Sequence, residues 1–327
     1  MRDERNYGLD VYRILCCMGV LTYHIMDDVL VCGGGSYAVV FYFAASYCVP
    51  GFFLLSGYLL GQRERLSIEY VETKITEIMK KLFLWAVFWA SAHFICTGEI
   101  IDLWGNITAA AGSGGILPTA WFLFTYCFLL LLGYPLQRLK QKQKGLFCTA
   151  SMIWIVLLAF GFGSGLHDTR TQSLWLHLYA GYFCFGMSLS VTGGSISRII
   201  PRKYGLFPVF LTGTAALAVY AVQVQAKGDL VPDHYYGTWY YSLWLVCMFW
   251  SCTWIRVKNK RLQDLLKMLS KNTVTVYLGH LPLLLYVTEK KPLETTWMAV
   301  LYIVLLFFGF VLAAELFGKM PLLRKLR

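Results

Sequence analysis

The stretch LDVYRILCCMGVLTYHIMDDVLV, residues 9–31, decides the fold. As a helix rising 1.5 Å per residue it is long enough to cross about 30 Å of hydrocarbon. Yet it carries Arg13 and His24 inside it. Comparable apolar stretches recur at 37–61, 79–98, 119–136, 145–166, 173–191, 206–226, 237–257, 272–288 and 297–317. The chain of 327 residues is 57% hydrophobic and only 14% charged, which excludes both a water-soluble globular protein and a disordered one. The pattern predicts an all-α, polytopic integral membrane protein of ten transmembrane helices. No polar segment is long enough for a second domain, so residues 1–327 read as one transmembrane domain.

Charge sets the expected orientation. With the ten spans in place, 24 Lys and Arg residues fall on the side of the amino terminus and 4 on the other. Basic residues accumulate in cytoplasmic loops, so both termini are predicted to be cytoplasmic. The net charge of +11 follows from this asymmetry and from contact with anionic headgroups. Nothing in it resembles a nucleic-acid surface. The first span lacks an A-x-A cleavage site and is read as a retained helix rather than a signal peptide. Most of the ten cysteines lie inside apolar stretches and read as small core or lipid-facing side chains; Cys32 and Cys96, near span ends, are the pair placed for a disulfide.

Ionisable groups at membrane depth are costly, and their presence points to function. Arg13 and His24 are eleven residues apart, about three turns plus about 20°, so both project from one helix face, separated by about 16.5 Å along the axis. Asp27 and Asp28 follow His24 by three and four residues, within side-chain reach on a helix. A carboxylate there is suited to hold the imidazole tautomer and raise its basicity.

These residues carry a family resemblance. Asn6-Tyr7-Gly8-Leu9-Asp10-Val11-Tyr12-Arg13, with ten residues before His24, resembles the opening of the membrane-bound acyltransferase 3 family. Pro50-Gly51-Phe52-Phe53-Leu54-Leu55-Ser56-Gly57-Tyr58 is similar to its second-helix motif, and Trp121-Phe122-Leu123 to the Trp-aromatic-Leu of its fourth. Tyr277-Leu278-Gly279-His280-Leu281-Pro282 resembles its late Tyr-Leu-x-His-x-Pro pattern. The resemblance implies an enzyme of the cell membrane, bacterial by expectation, that moves an acyl group, usually acetyl, from cytoplasmic acyl-CoA to a hydroxyl of a cell-envelope glycan or other extracytoplasmic acceptor. On that expectation His24 is the general base, supported by Asp27 and Asp28. Arg13 meets the donor, with Ser56 and Gly57 at the same depth. Gly57-x-x-x-Gly61 serves tight helix packing and is compatible with a slot for pantetheine.

Where the family often has Arg-x-x-Arg, this chain has Lys74 and Glu77, and Lys80 and Lys81 are the expected substitutes toward the CoA phosphates. His280 is expected to be a hydrogen-bonded intramembrane group bordering the donor path. Trp121 reads as a stacking platform for a sugar-like acceptor or as an aromatic-belt residue. The Gly-, Ala- and Ser-rich segment 99–119, with Glu99 and Asp102 as its acidic groups, reads as a mobile flap or re-entrant segment over the acceptor site, or as a plain flexible loop. His93, His167, His177 and His234 show no ligand spacing, so no metal is expected. The alternative is a small-molecule transporter, similar to the membrane half of serine racemases and expected to move serine without consuming acyl-CoA. A purely structural membrane protein would leave the Arg13–His24 pairing unexplained.

Overall fold

The computed structural model describes residues 5–33, 36–159, 172–199, 206–228, 230–231, 235–290, 293–320 and 326. Among them there is no strand. The elements are α1 (Tyr7–Val31), α2 (Ser36–Ala45), α3 (Cys48–Gly61), α4 (Ile68–Thr97), α5 (Leu103–Ala110), a short 3-10 turn (Pro118–Ala120), α6 (Trp121–Lys142), α7 (Lys144–Ala159) and α8 (Gln172–Ile199). Then follow α9 (Phe207–Lys227), α10 (Trp239–Thr253), α11 (Lys260–Lys271), α12 (Thr273–Lys290) and α13 (Thr296–Lys319).

The apolar stretches are largely helical over their described residues, and six segments are long and apolar enough to cross a membrane: Tyr7–Val31, Tyr37–Gly61, Ile68–Thr97, Pro118–Lys142, Phe207–Ala226 and Thr296–Lys319. By contrast α10 has 15 residues, about 22 Å, which falls short of a full crossing. Outward faces fit lipid rather than water. Phe210 and Leu211 on α9, and Leu301 and Leu312 on α13, are among many large apolar side chains left exposed.

Local chemistry accounts for where the elements depart from the sequence reading. The second stretch is broken into α2 and α3 because Pro50 has no N–H to give the carbonyl of Ser46. Ser46 instead turns its hydroxyl onto Phe43 O at 2.6 Å. Helix α4 begins well before residue 79, since Ser67 caps it by accepting from the Tyr70 amide at 3.2 Å and the first turns are charged. It stops at Gly98, whose φ of +76° is the left-handed cap. Segment 99–119 is not a plain loop. Asp102 caps α5 by accepting from Trp104 N, and Asn106 accepts from Ile116 N at 2.9 Å, tying the turn back onto the helix. Cys32 and Cys96 are both exposed free thiols, so the expected disulfide is absent.

The chain divides into two compact units, Met1–Gly19 with Val39–Leu66 and Leu132–Ser270, and Val20–Ala38 with Ser67–Leu131 and Lys271–Arg327. In the first, α3 and α8 cross so closely that a Cβ at Gly57 would run into the Phe183 carbonyl, and one at Gly186 into that of Leu54. Only glycine allows that approach. Around the crossing Phe53 packs on Tyr179 at 4.7 Å, and Phe43 lies between Tyr220 (4.5 Å) and Trp244 (5.4 Å). The buried Tyr182 hydroxyl donates to Tyr236 O at 2.6 Å and lies 2.9 Å from Ser242 Oγ, so its polar end is satisfied.

In the second unit α12 is held from three sides. Pro282 lies inside α12 and cannot donate to Leu278 O, and the indole of Trp89 on α4 takes that carbonyl at 3.3 Å. Tyr277 donates its hydroxyl to Thr119 O at 2.7 Å. Gly279 leaves room for the Phe310 ring of α13. Trp89→Phe should strand the Leu278 carbonyl and destabilise the protein by about 1–3 kcal/mol. A lowered thermal midpoint in detergent checks this.

Candidate active site

The first unit contains a cationic cavity of about 1060 Å³, lined among others by Arg5, Arg13, Arg63, Lys140 and Lys144, with Asp10 and Glu64 as its acidic residues. Local structure explains how these cations are held. Asn6 caps α1 by accepting from Gly8 N at 3.0 Å. Arg5 then grips the buried Asp10 carboxylate with two hydrogen bonds of 2.7 Å, a planar fork on two oxygens. That contact raises the guanidinium pKa above its ordinary value. One turn on, Arg13 donates to Ser270 Oγ at 3.3 Å.

The end of α3 and the connecting segment after it present carbonyls outside the helical ladder. Side chains of α6 take them: Lys140 donates to Gly61 O and, at 3.1 Å, to Ser190 Oγ, Gln137 donates to Arg63 O, and Gln141 to Glu64 O. A lysine at a helix carboxyl terminus also complements the helix dipole. The result is a basic cavity whose cations outnumber its carboxylates, suited to a polyanion.

Apart from Arg13, the cavity-lining residues are not among the expected site residues. For four of them the signal is the spacing Gln137, Lys140, Gln141, Lys144, a polar set at i, i+3, i+4, i+7 that directly follows the apolar stretch 119–136. Of the expected donor residues, Arg13 lines the cavity; Ser56, Gly57, Lys74, Lys80 and Lys81 do not. Ser56 donates to Phe52 O within its own helix at 2.7 Å, and Gly57 sits at the helix crossing. Lys74 pairs with Glu77 at 2.7 Å on α4, where Lys80 is exposed and Lys81 half-buried.

The second unit carries the imidazoles. His24, half-buried on α1, meets the ring of His280 of α12 with centroids 5.6 Å apart. His280 is fully buried. Its Nδ1 lies 3.1 Å from Val276 O and 2.8 Å from Tyr277 O, while its Nε2 has no partner among the described residues. Asp27 is exposed, and Asp28 buries Oδ2 without a hydrogen-bond partner among the described residues. Trp121 opens α6 half-buried, its ring edge-on to Phe122 at 6.3 Å. Glu99 is exposed, 3.7 Å from His93 Nε2, and Asp102 is occupied as the α5 cap. His177 is exposed beside Trp154. His167 and His234 lie outside the described residues.

Taken separately, a guanidinium in a basic cavity can meet an anion, and a half-buried imidazole can exchange a proton. Comparison with curated proteins and with solved structures gives no match. The family model described as acyltransferase domain, Acyl_transf_3, matches residues 6–317, and the chain therefore belongs to the acyltransferase 3 family of multi-pass membrane proteins.

Proposed function

We propose that the protein is an acyl-CoA-dependent O-acyltransferase of the bacterial plasma membrane. It moves an acyl group, acetyl in the simplest case, from cytoplasmic donor to a hydroxyl of a cell-envelope glycan or other extracytoplasmic acceptor. In this reading residues 1–327 act as one transmembrane domain of ten spans with both termini cytoplasmic. The single observation that carries it is the cavity lined by Arg5, Arg13, Arg63, Lys140 and Lys144 in a member of this family. Acyl-CoA bears several phosphates, and bidentate or charge-assisted contacts from Arg and Lys are the way proteins hold them.

His24 takes the hydroxyl proton as the acceptor oxygen attacks the thioester carbonyl. The C–S bond then breaks, and the CoA thiolate takes the proton back from the imidazolium. No metal is required by this sequence of steps. Asp27 and Asp28, one turn after His24 on α1, are assigned to raise the basicity of its imidazole, with Trp121 as a stacking surface for a sugar.

Purified protein in lipid nanodiscs, given radiolabelled acetyl-CoA and cell-envelope fractions, should label a glycan. A protein that binds the donor but labels no envelope fraction would overturn the reading. Arg13→Ala should raise the donor KM by roughly ten- to a hundredfold, since hydrogen bonds to charged groups contribute about 1.5–3 kcal/mol. Lys80→Ala, outside the cavity lining, should leave it unchanged. Initial rates over a donor concentration series distinguish the two.

A further inference from the structure

We propose that His280 is a positioning residue for His24: its Nε2 accepts the N–H of one His24 ring nitrogen and leaves the other nitrogen as the lone pair that takes the acceptor's proton. The inference rests on His24 being the base.

The chemistry of the α12 backbone fixes the tautomer of His280. Its Nδ1 faces two carbonyl oxygens, of Val276 and Tyr277, and carbonyls only accept. Nδ1 therefore carries the hydrogen of the neutral ring, and Nε2 is a bare acceptor. That acceptor is buried and meets no donor among the described residues. Buried acceptors in proteins are nearly always met, so this one is reserved for a donor that arrives or turns.

The neighbouring groups narrow the choice. The Tyr277 ring is 6.0 Å from His280, but its hydroxyl is engaged with Thr119 O. The ring of His24, with its centroid 5.6 Å away and its plane tilted by 38°, is the neighbouring group that has an N–H to give. On α1 itself Tyr23 lies edge-on to His24 at 5.7 Å, and Asp27 and Asp28 are one turn on.

The aim of His280 is also built in. Trp89 holds the carbonyl of Leu278, Tyr277 holds that of Thr119, and Gly279 seats Phe310. Three consecutive residues before His280 thus lock its stretch of helix, as an orienting group must be locked to be useful. During transfer His280 makes and breaks no covalent bond. The hydroxyl O–H breaks onto the free nitrogen of His24, the ester C–O bond forms, the C–S bond breaks, and the thiolate recovers the proton. Nε2 keeps its hydrogen bond throughout and steadies the charge on the His24 ring.

The test compares His280→Leu with His280→Gln, whose side-chain carbonyl offers an acceptor at a similar reach. The Leu variant should lower kcat by about 10- to 100-fold with the donor KM unchanged, and the Gln variant should recover most of that loss. 15N spectra of histidine-labelled protein in micelles, with His24 assigned by difference from His24→Ala, should show a changed His24 tautomer in the Leu variant. A wild-type kcat or an unchanged His24 tautomer in the Leu variant, or equal losses in both variants, would overturn the inference.

Should the Leu variant not fold, the unaltered protein decides. A scalar coupling between His24 N–H and His280 Nε2 supports the contact, and its absence overturns it. Full transfer by His24→Ala would instead remove the base assignment itself. An inactive His24→Ala beside a fully active His280→Leu removes only the present inference.

Discussion

His24→Ala is expected to lower acyl transfer by about 10²–10⁴-fold, the range that a positioned base contributes. Without it the acceptor hydroxyl must lose its proton to water, and a neutral alcohol attacks a thioester slowly. The protein should still insert and still bind acyl-CoA, because His24 is not among the residues that line the cationic cavity. Single-turnover transfer from radiolabelled acetyl-CoA, with donor binding measured on the same preparation, checks both halves. Near-normal turnover would remove His24 from the mechanism. A parallel loss of donor binding would mean that the substitution had damaged more than the base.

Gly57→Val should abolish assembly rather than catalysis. The added side chain at Gly57 meets the carbonyl and Cα of Phe183 on α8, which are backbone atoms and cannot swing aside. Separating α3 from α8 would open the best-packed crossing of the first unit and cost more than about 4 kcal/mol, the regime of severe core substitutions. Yield and monodispersity in detergent read this directly. Ser56→Ala next to it removes only a bond to its own helix, at Phe52 O, and should change stability by less than about 0.5 kcal/mol. If the two variants behaved alike, close packing would not be the reason for glycine at 57.

Much of this was legible because lipid imposes one dominant rule on sequence. A stretch that must bury or lipid-face every side chain reads as an apolar run, and the described parts of these runs are largely helical, six of the segments being long enough to span. What the runs conceal is where helices begin outside the apolar window. Helix α4 extends back to Ile68 through charged turns, and α5 is held by the cap at Asp102 and by the Asn106 side chain tying back the turn at Ile116, neither of which hydropathy registers. Pro50 signals the break between α2 and α3 only to a reader who asks which carbonyl lacks a donor.

The site was legible in part for a similar reason. Arg13 and His24 stand out as charges within a span. The cavity's remaining cations do not, because Arg63 sits in a connecting segment and Lys140 near the end of α6, where basic residues are expected anyway. His280 was visible as an intramembrane polar residue, but its proximity to His24 is long-range in sequence and follows only from how α1 and α12 pack.

The substitution of an indole for a missing amide has a further consequence. A regular helix maintains its own hydrogen-bond ladder, so the direction of a side chain along it is a local matter. Around Pro282 the ladder is completed from outside by Trp89, and the heading of the imidazole two residues earlier depends on a second helix staying in register. Whatever slides α4 against α12, whether bilayer thickness or a bulky guest, is thereby transmitted to the ring facing His24 without touching either histidine.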